Sequence, residues 1–192
     1  MHQSVLDFAR SALTADDVRG RRVLEAGSMD VNGSVRPYVE SLGPASYTGT
    51  DMRPGPGVDL VADAADLPAE FRLDGYRIRF GVVISTEMLE HAEDWQAAMR
   101  GMISVLAPGG VLVLTTRSAG FPLHGYPDDH NRFSVDAMGE ILKAAGLDVE
   151  RLEADPQAGH PGVFARARKP QGWTWPGDLE ETWAKVRTDP PG

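Results

Sequence analysis

The sequence predicts an α/β fold built on a doubly wound, mostly parallel sheet. Three observations carry this reading. First, Val23-Leu24-Glu25-Ala26-Gly27-Ser28-Met29-Asp30-Val31-Asn32-Gly33 runs from an apolar stretch through an acid and a glycine into a polar turn. That is the order of a strand, a ligand-facing turn and a helix. Second, Asp51 falls 26 residues after Glu25. A strand–helix–strand unit takes ~30 residues, so both acids end neighbouring parallel strands at one edge. Third, Phe80-Gly81-Val82-Val83-Ile84 is almost wholly apolar, as a central parallel strand covered on both faces must be.

The elements follow in order. Val5, Leu6, Phe8, Ala9, Ala12 and Leu13 recur at helical spacing, so residues 3–14 form an amphipathic helix that covers the sheet. Arg21 to Ala26 is the first strand. Gly33 to Leu42 is helical, with Pro37 in its first turn, where the missing N–H costs little. Ser46 to Asp51 is the second strand and Val58 to Ala62 the third. Residues 69–77 are turns and a short polar segment. Phe80 to Ile84 is the fourth strand and ends in Ser85-Thr86. Trp95 to Leu106 is a helix broken by Pro108-Gly109-Gly110, and the β-branched run Val111 to Thr116 is the fifth strand. Residues 117–134 make a long polar and aromatic loop on the ligand edge, and a loop of that length is usually functional. Ser134 caps a helix that ends at Gly146. Leu147 to Leu152 and Gly162 to Ala167 pair as terminal strands.

The 192 residues divide into a domain over 1–168 and a tail over 169–192, rich in Pro and Trp. Trp173, Trp175 and Trp183 mark the tail as a docking segment, on its own body or on a second copy in a homodimer. A short helix fits Asp178 to Val186. The net charge of −9 without a basic run argues against a nucleic-acid groove. No run is long enough to span a membrane and no basic-then-apolar leader is present. With no cysteine, the chain has neither disulfides nor thiolate metal sites, and a cytoplasmic location is expected.

Five segments together resemble the class I S-adenosylmethionine-dependent methyltransferases, in particular the small bacterial ones. They are Leu24-Glu25-Ala26-Gly27, Tyr47-Thr48-Gly49-Thr50-Asp51-Met52, Asp63-Ala64-Ala65-Asp66-Leu67-Pro68, Ile84-Ser85-Thr86-Glu87-Met88-Leu89-Glu90-His91 and Leu106-Ala107-Pro108-Gly109-Gly110-Val111-Leu112. The resemblance covers about residues 20–155. It implies a Rossmann-like, seven-stranded sheet with a terminal antiparallel hairpin, and S-adenosylmethionine as cofactor. It implies that Glu25, Gly27 and Ser28 line the methionine end, with Gly33 a further cofactor-binding residue. Asp51 would hold the ribose hydroxyls and Met52 would pack on adenine. Asp63 would bind the adenine amino group and Ala64 its ring edge, Ser85 would supply backbone contacts near the sulfonium, and Thr86 is a further cofactor-binding residue. The chain departs from the family at one turn. Where the family reads acid-x-Gly-x-Gly-x-Gly, Met29 and Val31 take the second and third glycine places.

Methyl transfer from a sulfonium is an in-line displacement that needs positioning and desolvation above all. A base helps when the acceptor carries a proton. His91 and His124 are the candidate catalytic groups, since imidazole titrates near neutrality. Phe121, His124, Tyr126, Asp128 and His130 offer aromatic and polar surface for a small acceptor. In that loop Asp128 and Arg132 are four apart and placed to pair. Glu87, Glu90 and His91 invite a metal reading, but the same cluster recurs in metal-free relatives, and the expected metal complement is none. The reading is therefore methyl transfer to a small-molecule or sugar-like acceptor at oxygen. The alternatives are N-methylation, or a cofactor-binding interaction module without turnover. A nicotinamide dehydrogenase is disfavoured by the absence of a Gly-x-Gly-x-x-Gly turn.

Overall fold

Side-chain alternation builds the sheet. The computed structural model describes residues 2–125 and 128–191. In strand β1 (Arg22–Ala26) every residue from Val23 to Ala26 is buried. Val23 faces one layer with Val5, Phe8 and Val39, while Leu24 faces the other with Met99 and Ile103. The same period-two division places Val82 and Ile84 against the first layer and Val83 against the second. Both faces are thus apolar and both carry helices, which is the doubly wound arrangement.

The remaining strands are β2 (Ser46–Asp51), β3 (Leu60–Val61), a separate two-stranded hairpin of β4 (Arg72–Leu73) and β5 (Tyr76–Arg77), then β6 (Phe80–Thr86), β7 (Leu106–Arg117), β8 (Asp148–Ala154) and β9 (Gly162–Arg168). The seven-stranded sheet has the order β3-β2-β1-β6-β7-β9-β8. All neighbours are parallel up to β7, and β9 runs antiparallel to both β7 and β8. Strand order reverses at β1, so the crevice of the fold lies beyond the carboxyl ends of β1 and β6.

Helices α1 (Gln3–Ala12), α2 (Ala15–Val18) and α3 (Arg36–Ser41) cover one face; α4 (Leu67–Glu70), α5 (Trp95–Val105), α6 (Val135–Ala144) and α7 (Leu179–Trp183) lie on the other. Pro37 sits in the first turn of α3. Ser134 caps α6 by accepting from the Ala137 amide, and Gly146 ends it with φ +70°.

Several boundaries differ from the sequence reading; the helix read over 33–42, for example, is confined to Arg36–Ser41. The third strand shrinks to Leu60–Val61; just before it the Asp59 amide still donates to the Gly49 carbonyl (2.8 Å), and the Asp59 side chain accepts from the Gly49 amide (2.7 Å) and from Arg36 (2.9 Å). The fifth strand starts at Leu106, and Pro108-Gly109-Gly110 forms a bulge inside it. Gly109 and Gly110 are held there by main-chain bonds to Lys169 (2.7 and 2.9 Å). Within residues 69–77, the second half forms the β4–β5 hairpin.

The tail docks on its own chain. Trp183 is fully buried and donates Nε1 to the Ile141 carbonyl at 3.0 Å, and Trp173 donates to Ala145 at 2.8 Å. Trp175 stays partly exposed. Among the described residues no helix is long and apolar enough to cross a membrane.

Candidate functional site

The turn after β1 is fixed by backbone chemistry. The Gly27 and Ser28 amides both donate to the Thr50 carbonyl (2.8 and 3.0 Å). Gly27 has φ +77°, and a β-carbon there would stand 2.4 Å from Met88 Cγ. Only glycine fits. The missing family glycines are replaced by an aspartate turn: Asp30 Oδ1 accepts from the Gly33 amide (2.8 Å) while the Asp30 amide donates to Pro56 (2.8 Å). Met29 and Val31 are therefore accommodated without further left-handed glycines between Gly27 and Gly33.

This turn opens onto a cavity of about 530 Å³ at the carboxyl edge of the sheet. Glu25, Gly27, Ser28, Gly33, Asp51, Met52, Asp63, Ala64 and Thr86 all line it. Ser85 does not; it is fully buried behind the wall, with Thr86 presented in its place. Asp51 Oδ1 accepts from Arg53 and Asp63 Oδ1 from Ala65, so each acid also closes its own turn. Burial pushes the Glu25 carboxyl up to about 7, against the lowering effect of the Tyr47 hydrogen bond. Two buried hydroxyls in the wall, Ser28 Oγ and Thr86 Oγ1, have no hydrogen-bond partner. Orphaned buried hydroxyls on a cavity of this size fit a polar ligand that supplies the partner.

His91, His124, Asp128 and His130 line the other end of the same cavity. His91 belongs to a single 3-10 turn, Leu89–His91, just after β6. Its ring stacks edge-on with His124, centroids 4.9 Å apart, and its Nδ1 meets the Asp128 carbonyl. Phe121 does not reach the cavity; it lies under His124 with centroids 4.9 Å apart and supports the ring. Tyr126 lies outside the described residues.

Arg132 pairs with Asp129, not Asp128. Both side chains are buried, and Arg132 contacts both carboxylate oxygens, one of them at 2.6 Å. The i,i+4 rule holds on a helix surface, and this segment is a loop. Asp129 Oδ2 also accepts from the His124 amide at 2.9 Å and lies 3.1 Å from His124 Nδ1. Burial raises Asp129, but the Arg132 and His124 contacts outweigh it and leave the carboxyl at about 2. Burial, with His91 next, lowers the His124 imidazole below its ordinary range.

Three residues here, Asp129, Arg117 and His2, escaped the sequence reading, and two others, Glu87 and Glu90, take roles it did not give them. Arg117 at the end of β7 is buried and pairs with Glu87 and with Asp155 (3.2 Å). Glu87 sits at φ +53°, a left-handed backbone that side chains rarely adopt. His2 lines the cavity and packs on His160 and Phe121. No local pattern marks His2, since both contacts are long-range. Glu90 is fully buried; Oε2 accepts from Thr116 at 2.9 Å and burial pushes the carboxyl up to about 7. One ligand atom each from Glu90, His91 and His124 lies within 4.8 Å of the others, a grouping that could hold a metal ion.

A family model described as a methyltransferase domain matches residues 3–152. The chain belongs to this methyltransferase family. Its sheet has the Rossmann-like order of the methyltransferase fold. A curated relative, the probable phthiotriol/phenolphthiotriol dimycocerosates methyltransferase 2 of Mycobacterium ulcerans (strain Agy99), is 34% identical over 115 residues, 54% of this chain and 42% of the relative. The chain thus spans less than half the length of that protein. Among solved structures, the methyltransferase resembles 1,6-didemethyltoxoflavin-N1-methyltransferase of Burkholderia thailandensis (TM-score 0.67, 19% identity, 87% of this chain and 79% of that one). It also resembles the N-methyltransferase NodS of Bradyrhizobium japonicum WM9 (TM-score 0.57, 21% identity, 88% and 94%). These likenesses speak for the fold.

Proposed function

We propose that this methyltransferase transfers a methyl group to oxygen on a small, polar, sugar-like acceptor, with His124 taking the acceptor's proton. The observation that carries this reading is the His124–Asp129 pair at the cavity wall. The Asp129 carboxylate accepts from the His124 main-chain amide and stands 3.1 Å from ring Nδ1, which turns Nε2 to the role of base. Its lowered pKa keeps it neutral at pH 7, ready to accept a proton. Phe121 beneath the ring fixes its plane, and His91 and His130 add polar contacts around the acceptor.

S-adenosylmethionine, when bound, supplies an activated methyl on sulfur. In our reading Glu25, Gly27, Ser28 and Gly33 surround its methionine end, Asp51 and Met52 its ribose and adenine, and Asp63 and Ala64 the base edge. Thr86 takes the sulfonium position first given to Ser85. Residues 1–168 form the enzyme domain and the tail completes it. The chain's own work is binding, orientation and exclusion of water. We further propose turnover without a metal: the Arg132 guanidinium acts by charge on both Glu90 and His124, and that disfavours a cation between them.

Methylation at nitrogen is the second reading, supported by the N-methyltransferases among its structural likenesses. Labelling a metabolite extract with radioactive S-adenosylmethionine, with wild type and His124→Ala side by side, tests both. Oxygen-linked label lost in His124→Ala supports the base; nitrogen-linked label kept in it moves the assignment to nitrogen.

A further inference from the structure

The tail and the acceptor loop are stitched together where neither helix nor sheet requires it. Arg132 and Asp189 form an isolated antiparallel bridge, with Arg132 N donating to Asp189 O at 2.7 Å and Asp189 N donating to Arg132 O at 2.9 Å. Next to it, Thr188 Oγ1 donates to Asn131 Oδ1 at 2.9 Å. The bridge lies 57 residues from the loop it holds. Arg132 is buried, and its guanidinium carries Asp129, whose Oδ2 lies against the His124 imidazole. A chain of contacts thus runs from the tail main chain to the ring in the cavity.

We propose that Thr188 and Asp189 act as a strap that positions His124, with Arg132 and Asp129 as the positioning residues between them. The inference rests on the reading of His124 as proton acceptor for its purpose, and on the contacts of the folded chain alone for its mechanics. A loop supplies a base only if the ring is held; a mobile ring loses the aligned geometry that proton transfer needs. The opposite wall of the loop is already fixed, because the His130 and Asn131 amides both donate to the Glu90 carbonyl (2.9 and 3.1 Å). The strap supplies the second side. Trp173 and Trp183, bonded to α6, set the path along which the tail reaches the loop.

The test needs no acceptor. The full chain is labelled with ¹⁵N-histidine, and the His124 ring signal, assigned by its loss in His124→Ala, is followed through a pH titration. His91, Asp129 and Arg132 are the charged or titratable groups acting on that ring. Asp129 raises its midpoint, so Asp129→Asn lowers it. Asp189→Pro removes one bridge donor and shifts the midpoint in the same direction. It also speeds amide exchange at Arg132 about tenfold, the loss of roughly one hydrogen bond. S-adenosylhomocysteine affinity stays within about twofold. Thr188→Val keeps the main-chain bridge and gives smaller shifts of the same sign; it decides the matter if Asp189→Pro does not fold. Wild-type midpoints and exchange rates in the folded tail variants overturn the strap. Full turnover by His124→Ala would instead overturn the base, and leave these spectra unchanged.

Discussion

Tyr47 donates its phenolic hydroxyl to Glu25 Oε2 at 2.5 Å, so the acid at the end of β1 is held by the neighbouring strand β2. Burial raises Glu25 to about 7 in the free protein. If its carboxylate receives the ammonium of the cofactor's methionine end, binding requires the ionised form. Below pH 7 a proton must leave first. Affinity for S-adenosylhomocysteine is therefore expected to be flat above about pH 7.5 and to weaken up to about tenfold per pH unit below 7. Calorimetric titrations at pH 5.5, 6.5 and 8 check this, and Glu25→Gln should bind weakly with no such slope.

Asp51→Ala should weaken cofactor binding about ten- to a hundredfold, because a charge-assisted hydrogen bond to a ribose hydroxyl contributes roughly 1.5–3 kcal/mol. The melting temperature of the free protein should hardly move. Unchanged affinity would assign the ribose to another residue. NAD should give no binding heat with the wild type.

Arg132→Ala removes a buried cation from Asp129 and leaves that carboxylate without its main partner. Breaking such a pair costs about 3–5 kcal/mol. Chemical denaturation at pH 7 should show a loss of this size. His124→Ala should keep stability and cofactor affinity within about twofold, yet lose about 10²–10⁴ in turnover on the acceptor found by labelling. Equal stability losses in both would make His124 a packing residue.

Chelator dialysis should leave methyl transfer unchanged. Activity lost and then restored by a divalent ion would assign Glu90, His91 and His124 to a cation instead.

Glu90 gives a stability prediction with a definite sign. Its folded-state carboxyl is raised to about 7 from an ordinary value of 4.5. A raised acid stabilises the fold below pH 4.5, and that contribution is lost as pH rises through 7. Glu90→Gln, neutral at all pH, should then be more stable than wild type by about 1–3 kcal/mol at pH 8, with the gain vanishing near pH 4.5. Urea titrations at the two pH values measure it.

The strand ends were legible because they rest on local rules. Glu25 and Asp51 sit one supersecondary unit apart, and Phe80 to Ile84 carries the two-sided apolar run of a central strand. The bulge at Pro108-Gly109-Gly110 was read as the end of a helix and not as the start of a strand, since its partner, Lys169, lies far along the chain. The same distance hid the histidine end of the cavity. Asp129 looks like one more loop acid until Arg132 is seen pinned by Asp189, and His2 looks like a stray terminal residue until it is seen beside Phe121. Side chains whose roles depend on contacts across the fold leave no periodic trace.

Glu87 carries a final consequence. Its left-handed backbone is held in place by the buried Arg117, which it helps to neutralise. Glycine at 87 would relax the backbone by about 1 kcal/mol or more, and it would leave Arg117 facing the cavity with Asp155 alone. Backbone relaxation and charge balance therefore pull this position in opposite directions, and the buried guanidinium weighs more. A laboratory selection for thermal endurance should retain the acid unless Arg117 changes with it.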